Sequence, residues 1–270
     1  MVKNISGITL DIVTLKGIFM EQDLISIVIP VYNAGRYLTD TINSVQAQTC
    51  DNWELIFVDD KSTDNSAEII AEYAKTDNRI KYSLLPENVG PALARNHGID
   101  MAKGRYLCYQ DADDLWHKHK LEKQLKFMKE KDCAFSFTGY EFADENGKPI
   151  NKKVFVPETY TYSQAIKSTI ISTITVMFDR EKLSNEDLYM PNMGAEDSAT
   201  WWKILKKVDC AYGLNEILSY YRRNKGTLSA NKAVAAKRIW RLYRDLEKFS
   251  IPKSVFCFTC YALSAIKRRI

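Results

Sequence analysis

A chain of 270 residues allows one large domain with an appendage or two modest ones, and 46% hydrophobic against 27% charged residues is an ordinary globular mixture, so disorder, collagen-like repeats and disulfide-built miniproteins are excluded. A net charge of +4 is too small to argue for nucleic acid as a partner. Residues 222 to 270 nevertheless carry 13 Lys and Arg against only Asp245 and Glu247, which leaves the preceding body net acidic. An acidic body fits carboxylates gathered around a metal, and a basic tail fits either an anionic surface or a solvated helix face.

Residues 1 to 19 show no clear period, and Met20 stands as an alternative start just ahead of the first strand. Ile25 to Pro30 is a β-branched run of the kind buried on both faces, and it ends in Pro30-Val31-Tyr32-Asn33. A helix follows, with Leu38, Ile42 and Val45 on one stripe. Trp53 to Val58 is a second strand, stopping at Asp59-Asp60. The next helix opens near Asp64-Asn65, where Asn65 and Glu68 can cap backbone amides, and it buries Ile69, Ile70 and Tyr73. Arg79 to Leu85 is a third strand, and Asn88-Val89-Gly90-Pro91 turns the chain into a helix running to about Ala102, with Gly104 ending it through its tolerance of positive φ. The fourth strand, Arg105 to Tyr109, runs into Asp111-Ala112-Asp113-Asp114. An amphipathic helix (Leu121, Leu125, Met128) then leads to a strand at Cys133 to Thr138. Strands alternating with helices at this spacing predict right-handed βαβ units and a mainly parallel α/β sheet flanked by helices.

The polar clusters fall just past the C-terminal ends of strands, where open α/β sheets bind ligands. No G-x-G-x-x-G follows the first strand and no G-x-x-x-x-G-K-[ST] occurs, so neither glycine-rich phosphate cradle is available. Carboxylates facing a phosphate would repel it, so Asp111 and Asp113 point to a hard cation, Mg²⁺ or Mn²⁺, held between acid and phosphate. Asp113 or Asp114 could instead cap the following helix, but capping needs one acid, and three in four residues crowd like charges unless a cation compensates. His117 and His119 lie two residues apart, on different faces of a helix, and are set aside as a metal pair.

The six cysteines are scattered, and Cys257 and Cys260 have no second pair to complete a zinc site, which predicts reduced thiols in a cytosolic protein. The N-terminus lacks the features of a signal peptide and no run of 18 apolar residues occurs, so a cytoplasmic, non-spanning protein is expected and Asn4-Ile5-Ser6 reads as a chance acceptor triplet.

Taken in order, Ile27 to Asn33, Phe57-Val58-Asp59-Asp60-Lys61-Ser62-Thr63-Asp64, Asn88-Val89-Gly90, Ala94-Arg95-Asn96-His97-Gly98, Asp111-Ala112-Asp113-Asp114 and Glu196-Asp197 resemble the family-2 glycosyltransferases with the GT-A fold. The resemblance covers roughly residues 24 to 230 and divides the chain into an N-terminal extension (1–23), a GT-A domain (24–230) and a basic amphipathic helical tail (231–270). It implies that the first loop with Pro30 and Tyr32, together with Asp60 and Asn88, holds the nucleoside. It further implies that Asp111 sits near ribose or metal, that Asp113 ligates the metal and that Asp197 is the catalytic base. Arg95 reads either as a nucleotide contact or as a solvated base, and Arg222 as a diphosphate contact or part of the basic tail. Glu196 could orient the acceptor or stabilise a helix terminus, and Asp197 could itself be an N-cap. Trp201 and Trp202 could stack on a sugar, or be core. His97 reads as structural. Two small departures are Lys61, where glycine is frequent after the acid pair, and Lys118, where proline often stands. The Gln-x-x-Arg-Trp motif and spanning helices of polymer-making relatives are missing, which implies a single transfer.

The implied reaction is inverting, metal-dependent transfer from a nucleoside-diphosphate sugar, a UDP-sugar by resemblance, to a glycan or lipid-linked acceptor. Phe135 to Tyr140 and the D-x-D-D-L-W start resemble bacterial surface-polysaccharide enzymes of the teichuronic acid or capsule type. In the tail, Ala235, Ile239, Leu242, Leu246 and Phe249 form a helical stripe, and Val255 to Ile266 is apolar nearly all round but too short to span a bilayer. Peripheral attachment to the inner face of the plasma membrane is therefore expected. Two other readings compete: a non-catalytic sugar-nucleotide-binding scaffold, and a phosphoryl-transfer enzyme with Asp111 as nucleophile, although D-x-D phosphatases carry that motif after the first strand and here it follows the fourth.

Overall fold

The computed structural model describes residues 21–223 and 232–267, so Met20, residues 1 to 19 and the Asn4-Ile5-Ser6 triplet lie outside the described residues. The chain begins with β1 (Glu21–Val31), α1 (Gly35–Gln46), β2 (Trp53–Asp59), α2 (Ser66–Thr76), β3 (Ile80–Leu84), α3 (Pro91–Met101) and β4 (Gly104–Tyr109). These four strands pair in parallel in the order β3-β2-β1-β4. Alternate residues of the continuous apolar strands feed two cores. Val28, Ile56, Val58 and Leu107 belong to one core with Ala92, Ala94 and Ile99 of α3, while Ile27, Ile29, Leu55 and Phe57 belong to the other with Leu38, Ile42 and Val45 of α1 and Ile70 of α2. Each fully buried side chain of this size stabilises the fold by about 1.5–3 kcal/mol.

Close packing explains two glycines. A Cβ on Gly98 of α3 would stand 2.3 Å from Val28 Cγ1, so the helix lies against β1. Gly104 does not end α3 in a left-handed turn as expected: the C-cap is Ala102, in extended conformation. Gly104 opens β4, where a Cβ would meet the Leu24 carbonyl oxygen at 2.5 Å and where its N–H donates to Ser26 Oγ. The cap expected from Asn65 is likewise absent among the described contacts. Asp64 takes its place, accepting from the Ser66 N–H at 3.1 Å.

Beyond β4 come β5 (Leu115–Trp116), α4 (Lys120–Lys131), β6 (Phe135–Ala143), β7 (Pro149–Val154), β8 (Thr159–Tyr160), α5 (Tyr162–Ala165), β9 (Met177–Asp179), α6 (Asn185–Leu188), α7 (Glu196–Leu205) and β10 (Ala211–Arg222). Here the sheet becomes mixed. β9 fills the slot between β4 and β6, antiparallel to both, while β6 and β10 pair in parallel. A three-residue strand reached after a long excursion leaves no periodic signal, which is why the sequence predicts a mainly parallel sheet and not the mixed one.

Helices α8 (Lys232–Arg241) and α9 (Ile251–Lys267) follow, joined through a π-helical segment at Leu242–Leu246. The wider turn shifts the phase of the predicted stripe. Ile239, Leu242 and Phe249 are buried as expected, but Leu246 is exposed and Tyr243 is buried in its stead. The Tyr243 ring stacks on Trp202 of α7 at 5.3 Å, and its hydroxyl donates to the Ile166 carbonyl at 2.6 Å.

Candidate active site

The loops after β1 to β4 are stitched together by their polar side chains. At the end of β1, Pro30 pairs in register with Val58, Tyr32 is 55% exposed, and Asn33 takes a left-handed φ of 50°. Asn33 N–H donates to Ser62 Oγ at 3.0 Å and its Oδ1 accepts from the Thr63 N–H at 2.8 Å, joining the first loop to the second. Asp64 adds a clasp, accepting from the Gly35 N–H at 2.9 Å and from the Ser66 hydroxyl. Lys61 sits at φ 64°, the conformation for which glycine is suited, and its ammonium donates to the Pro86 carbonyl at 2.8 Å.

The two acids that end β2 do different things. Asp59 is buried and accepts from the Ser62 N–H at 2.7 Å and from the Tyr82 hydroxyl at 3.0 Å; burial first, and this carboxylate second, push the Tyr82 phenol up to about 12. Asp60 turns the other way: one oxygen accepts from the Val89 N–H at 2.7 Å, the other from the Gly90 N–H at 2.8 Å. Asn88 Nδ2 closes the turn on the Asp60 carbonyl at 3.1 Å. Gly90, at φ 88°, is the N-cap of α3, so the Asp60 carboxylate also lies at a helix N-terminus that favours negative charge.

From α3, two adjacent side chains reach across the cleft. The Arg95 guanidinium is buried, donates to Asp111 Oδ1 at 2.6 Å and lies 3.6 Å from Glu196 Oε1. Burial opposes its charge, but the carboxylates of Asp111 and Glu196 outweigh that and raise its pKa. Its Nε has no hydrogen-bond partner among the described residues. Asn96 clamps the backbone of Met190 from both sides, donating from Nδ2 to the carbonyl at 2.9 Å and accepting from the N–H at 2.7 Å. The strand-end acids are thereby tied to the loop that leads into α7. His97 is a structural contact, with Nε2 at 2.9 Å from Ser83 Oγ.

Neither Asp113 nor Asp114 caps the next helix, since the N-cap of α4 is His119. Asp114 is buried instead and accepts from the backbone N–H of Arg222 at 2.6 Å, fastening the end of β10 beneath the acidic turn. Burial, and then the charges of Asp113 and Asp111, hold its pKa well above the usual carboxylate range. The Arg222 guanidinium is buried too, bonded to Asp40 Oδ2 at 3.2 Å and lying 4.9 Å from the Tyr37 ring. Trp201 is 3% exposed and packed against Tyr109, Phe135 and Phe178, so its ring faces are occupied by core.

At the other side of Arg95, the N-cap of α7 is Ala195, at φ 62°, leaving Glu196 and Asp197 in the first turn. Asp197 Oδ1 accepts from the Ser198 N–H at 2.6 Å. Burial raises the Asp197 pKa, only partly offset by that N–H and by Arg95. Glu196 is raised for the same first reason and then by the charge of Asp197. A carboxylate pushed up in this way is a stronger base than an exposed one.

Sequence reasoning missed Asn96, Asp64 and the supporting roles of Asp59 and Asp114. Each sits inside one of the sequence motifs, but which acid of a cluster faces the cleft depends on backbone direction and not on spacing. Among the described residues no three His, Cys, Asp or Glu side chains form a ready metal cluster. Mg²⁺ and Mn²⁺ bind through one or two carboxylates completed by phosphate oxygens and water, so the hard oxygen donors Asp111 and Asp113 fit a cation that arrives with a diphosphate.

Residues 26–185 match the family described as glycosyl transferase family 2. The chain is 46% identical over 250 residues to a protein of Bacillus subtilis named putative teichuronic acid biosynthesis glycosyltransferase TuaG, covering 92% of this chain and 98% of that one. It is 32% identical over 254 residues to the Escherichia coli UDP-Glc:alpha-D-GlcNAc-diphosphoundecaprenol beta-1,3-glucosyltransferase WfgD, covering 92% and 96%. Among solved structures, S. aureus TarS in complex with UDP-GlcNAc superimposes with a TM-score of 0.69 at 22% identity, over 89% of this chain and 71% of that one. The mannosyltransferase PcManGT of Pyrobaculum calidifontis, in complex with GDP-Man and Mn²⁺, superimposes with a TM-score of 0.65 at 19% identity, over 87% and 68%. These likenesses give the chain its fold, the mixed-sheet GT-A architecture with C-terminal helices.

Proposed function

This chain belongs to glycosyl transferase family 2, and we propose that within it the protein transfers a single sugar, with inversion, from a nucleoside-diphosphate sugar to a lipid-linked glycan acceptor in surface-polysaccharide assembly. The observation that carries this reading is the Arg95 guanidinium, which reaches Asp111 at 2.6 Å and Glu196 at 3.6 Å and so holds the donor-side acid turn and the Glu196-Asp197 pair around one cleft. The name of the B. subtilis relative supports the surface-polysaccharide setting, that of the E. coli relative supports a lipid-linked acceptor, and the E. coli name together with the TarS complex favours a UDP-sugar.

In this reading residues 24 to 230 are the catalytic domain and 231 to 270 its tail, working at the inner face of the plasma membrane. Tyr32, exposed at the end of β1, covers the nucleobase, and Asp60, pinned by the amides of Val89 and Gly90, fixes the nucleoside loop at which Pro30 and Asn88 converge. Asp111 meets the ribose and Asp113 would hold Mg²⁺ or Mn²⁺. When bound, that cation supplies neutralising charge to the departing diphosphate. Asp197 accepts the proton of the acceptor hydroxyl as its oxygen bonds to the anomeric carbon on the face opposite the breaking C–O bond, which inverts the configuration. Glu196, held by Arg95, orients the acceptor. Arg222 and Asp114 support the acidic turn from below.

The test is calorimetric titration of the wild type and Asp113→Asn with UDP, dTDP and GDP, each with and without Mn²⁺. Metal-dependent binding of one nucleotide, lost in the variant, is expected. No binding under any condition would overturn the reading in favour of a scaffold.

A further inference from the structure

Helix α9 has two unlike faces. On one, Ser254 and Cys257 are buried, Phe258 meets the Trp240 ring of α8 at 5.7 Å, and Ser264 Oγ lies 2.8 Å from Ser168 Oγ. On the other, Ile251, Val255, Phe256 and Leu263 are exposed by 63, 49, 58 and 63%. Positions 251, 255, 259 and 263 recur every four residues, so they form one stripe along the helix, with Thr259 in the middle. Single exposed apolar side chains are ordinary, but a row of them along one helix marks a surface that something covers.

The charges beside the stripe say what. Lys253 is exposed beside the stripe, with its Nζ 3.7 Å from the Phe249 ring, and Lys167 Nζ approaches the Phe256 ring at 5.6 Å. Helix α9 contains no Asp or Glu, and the sequence continues into Arg268-Arg269. The two acids in the tail cannot serve a second copy well. Glu247 is taken up by the Tyr162 hydroxyl and by Lys206 at 2.5 Å, leaving Asp245 alone against a basic surface, so a two-fold pairing of this face would set like charges together. At 17 residues the helix is about 25 Å long, and no helix among the described residues is long and apolar enough to cross a membrane.

We propose that this face of α9 is a membrane-docking surface: Ile251, Val255, Phe256 and Leu263 enter the boundary between headgroups and acyl chains of an anionic bilayer, with Lys253 and Lys167 against lipid phosphates. The proposal rests on the reading above for its purpose, because a lipid-linked acceptor is presented at such a surface. The tail is also fixed to the catalytic loop. Trp202 of α7 stacks on Tyr243, and a Cβ on Gly194 would stand 2.6 Å from Arg238 Cγ of α8, two residues before Glu196. A bilayer seated on α9 therefore stands at a set distance from Asp197.

Co-sedimentation of the full chain with phosphatidylcholine vesicles, with and without phosphatidylglycerol, tests it. Binding is expected only with the anionic lipid, weakened by salt, and about tenfold or more weaker for the double variant Phe256→Asp/Leu263→Asp. Both sites are exposed, so thermal unfolding and nucleotide binding of the double variant should match the wild type. Indifference of the wild type to anionic vesicles, or equal binding by the variant, would overturn the proposal. So would a concentration-dependent dimer that the same substitutions dissociate, without vesicle binding. Vesicle binding by a chain that fails to bind any nucleotide would leave this surface standing and remove the glycosyl-transfer reading instead.

Discussion

Replacing Arg95 by methionine keeps much of its bulk and removes the guanidinium that faces Asp111, Glu196 and Asp197. The side chain is 7% exposed, so water cannot take over its role. In the wild type at neutral pH, one cation stands against three carboxylates; in the variant those carboxylates face each other uncompensated. Breaking a buried ion pair by deleting one partner costs about 3–5 kcal/mol. That cost is electrostatic, so it depends on pH in a definite direction. Glu196 and Asp197 already have raised pKa values because of burial, and loss of Arg95 raises them further. A carboxylate whose folded-state pKa lies above its unfolded value binds more protons when folded, so stability falls as pH rises through that interval and is recovered as pH falls. Arg95→Met should therefore be destabilised by about 3 kcal/mol or more near pH 7.5 and by markedly less near pH 5. Urea unfolding of both proteins at the two pH values, with m-values compared, measures this. An equal loss at both would refute the electrostatic reasoning and make Arg95 a packing residue.

Asp197→Asn should lower kcat by about 10²–10⁴ with nucleotide binding unchanged, and should abolish an acid limb of the rate profile whose midpoint lies above the usual aspartate value. Fully buried Lys120, which donates to Gln124 Oε1 at 2.8 Å and lies 4.1 Å from the Trp116 ring, has a pKa lowered by burial. The unfolded chain then binds the extra proton, so stability should rise as pH increases from 7 toward 10. Lys120→Met should flatten that rise, and parallel unfolding midpoints for the two proteins from pH 7 to 9 would contradict it.

The first half of the fold was legible because its signals are local. Leu38, Ile42 and Val45 form the buried stripe of α1, and the apolar runs at Ile25 and Trp53 are strands covered on both faces. The later sheet was not, because β9 has three residues and β10 finds β6 across a long sequence separation. A uniform helical period places Leu246 on the buried tail stripe, and the π-helical turn at Leu242–Leu246 moves it outward. Within the site, the clusters could be found from their position at strand ends. Their division of labour could not: of the pair Asp59-Asp60, alternation along the strand turns one toward Tyr82 and the other toward the Val89-Gly90 amides. Arg95 is ambiguous by residue type, since its burial against Met190, Asp111 and Glu196 comes from tertiary packing that no local pattern encodes.

That packing has a consequence for how the cleft tolerates change. Arg95 and Asn96 are neighbours on a single helical turn, and between them they grip Asp111, Glu196 and both backbone groups of Met190. The gap between the two banks of the cleft is thus gauged by one rigid spacer seated on the sheet. Segments downstream of β6 that neither Arg95 nor Asn96 grips can change in length or side chain while that gauge keeps its calibration. A substitution at Gly98 would tilt the spacer and misalign both banks at once.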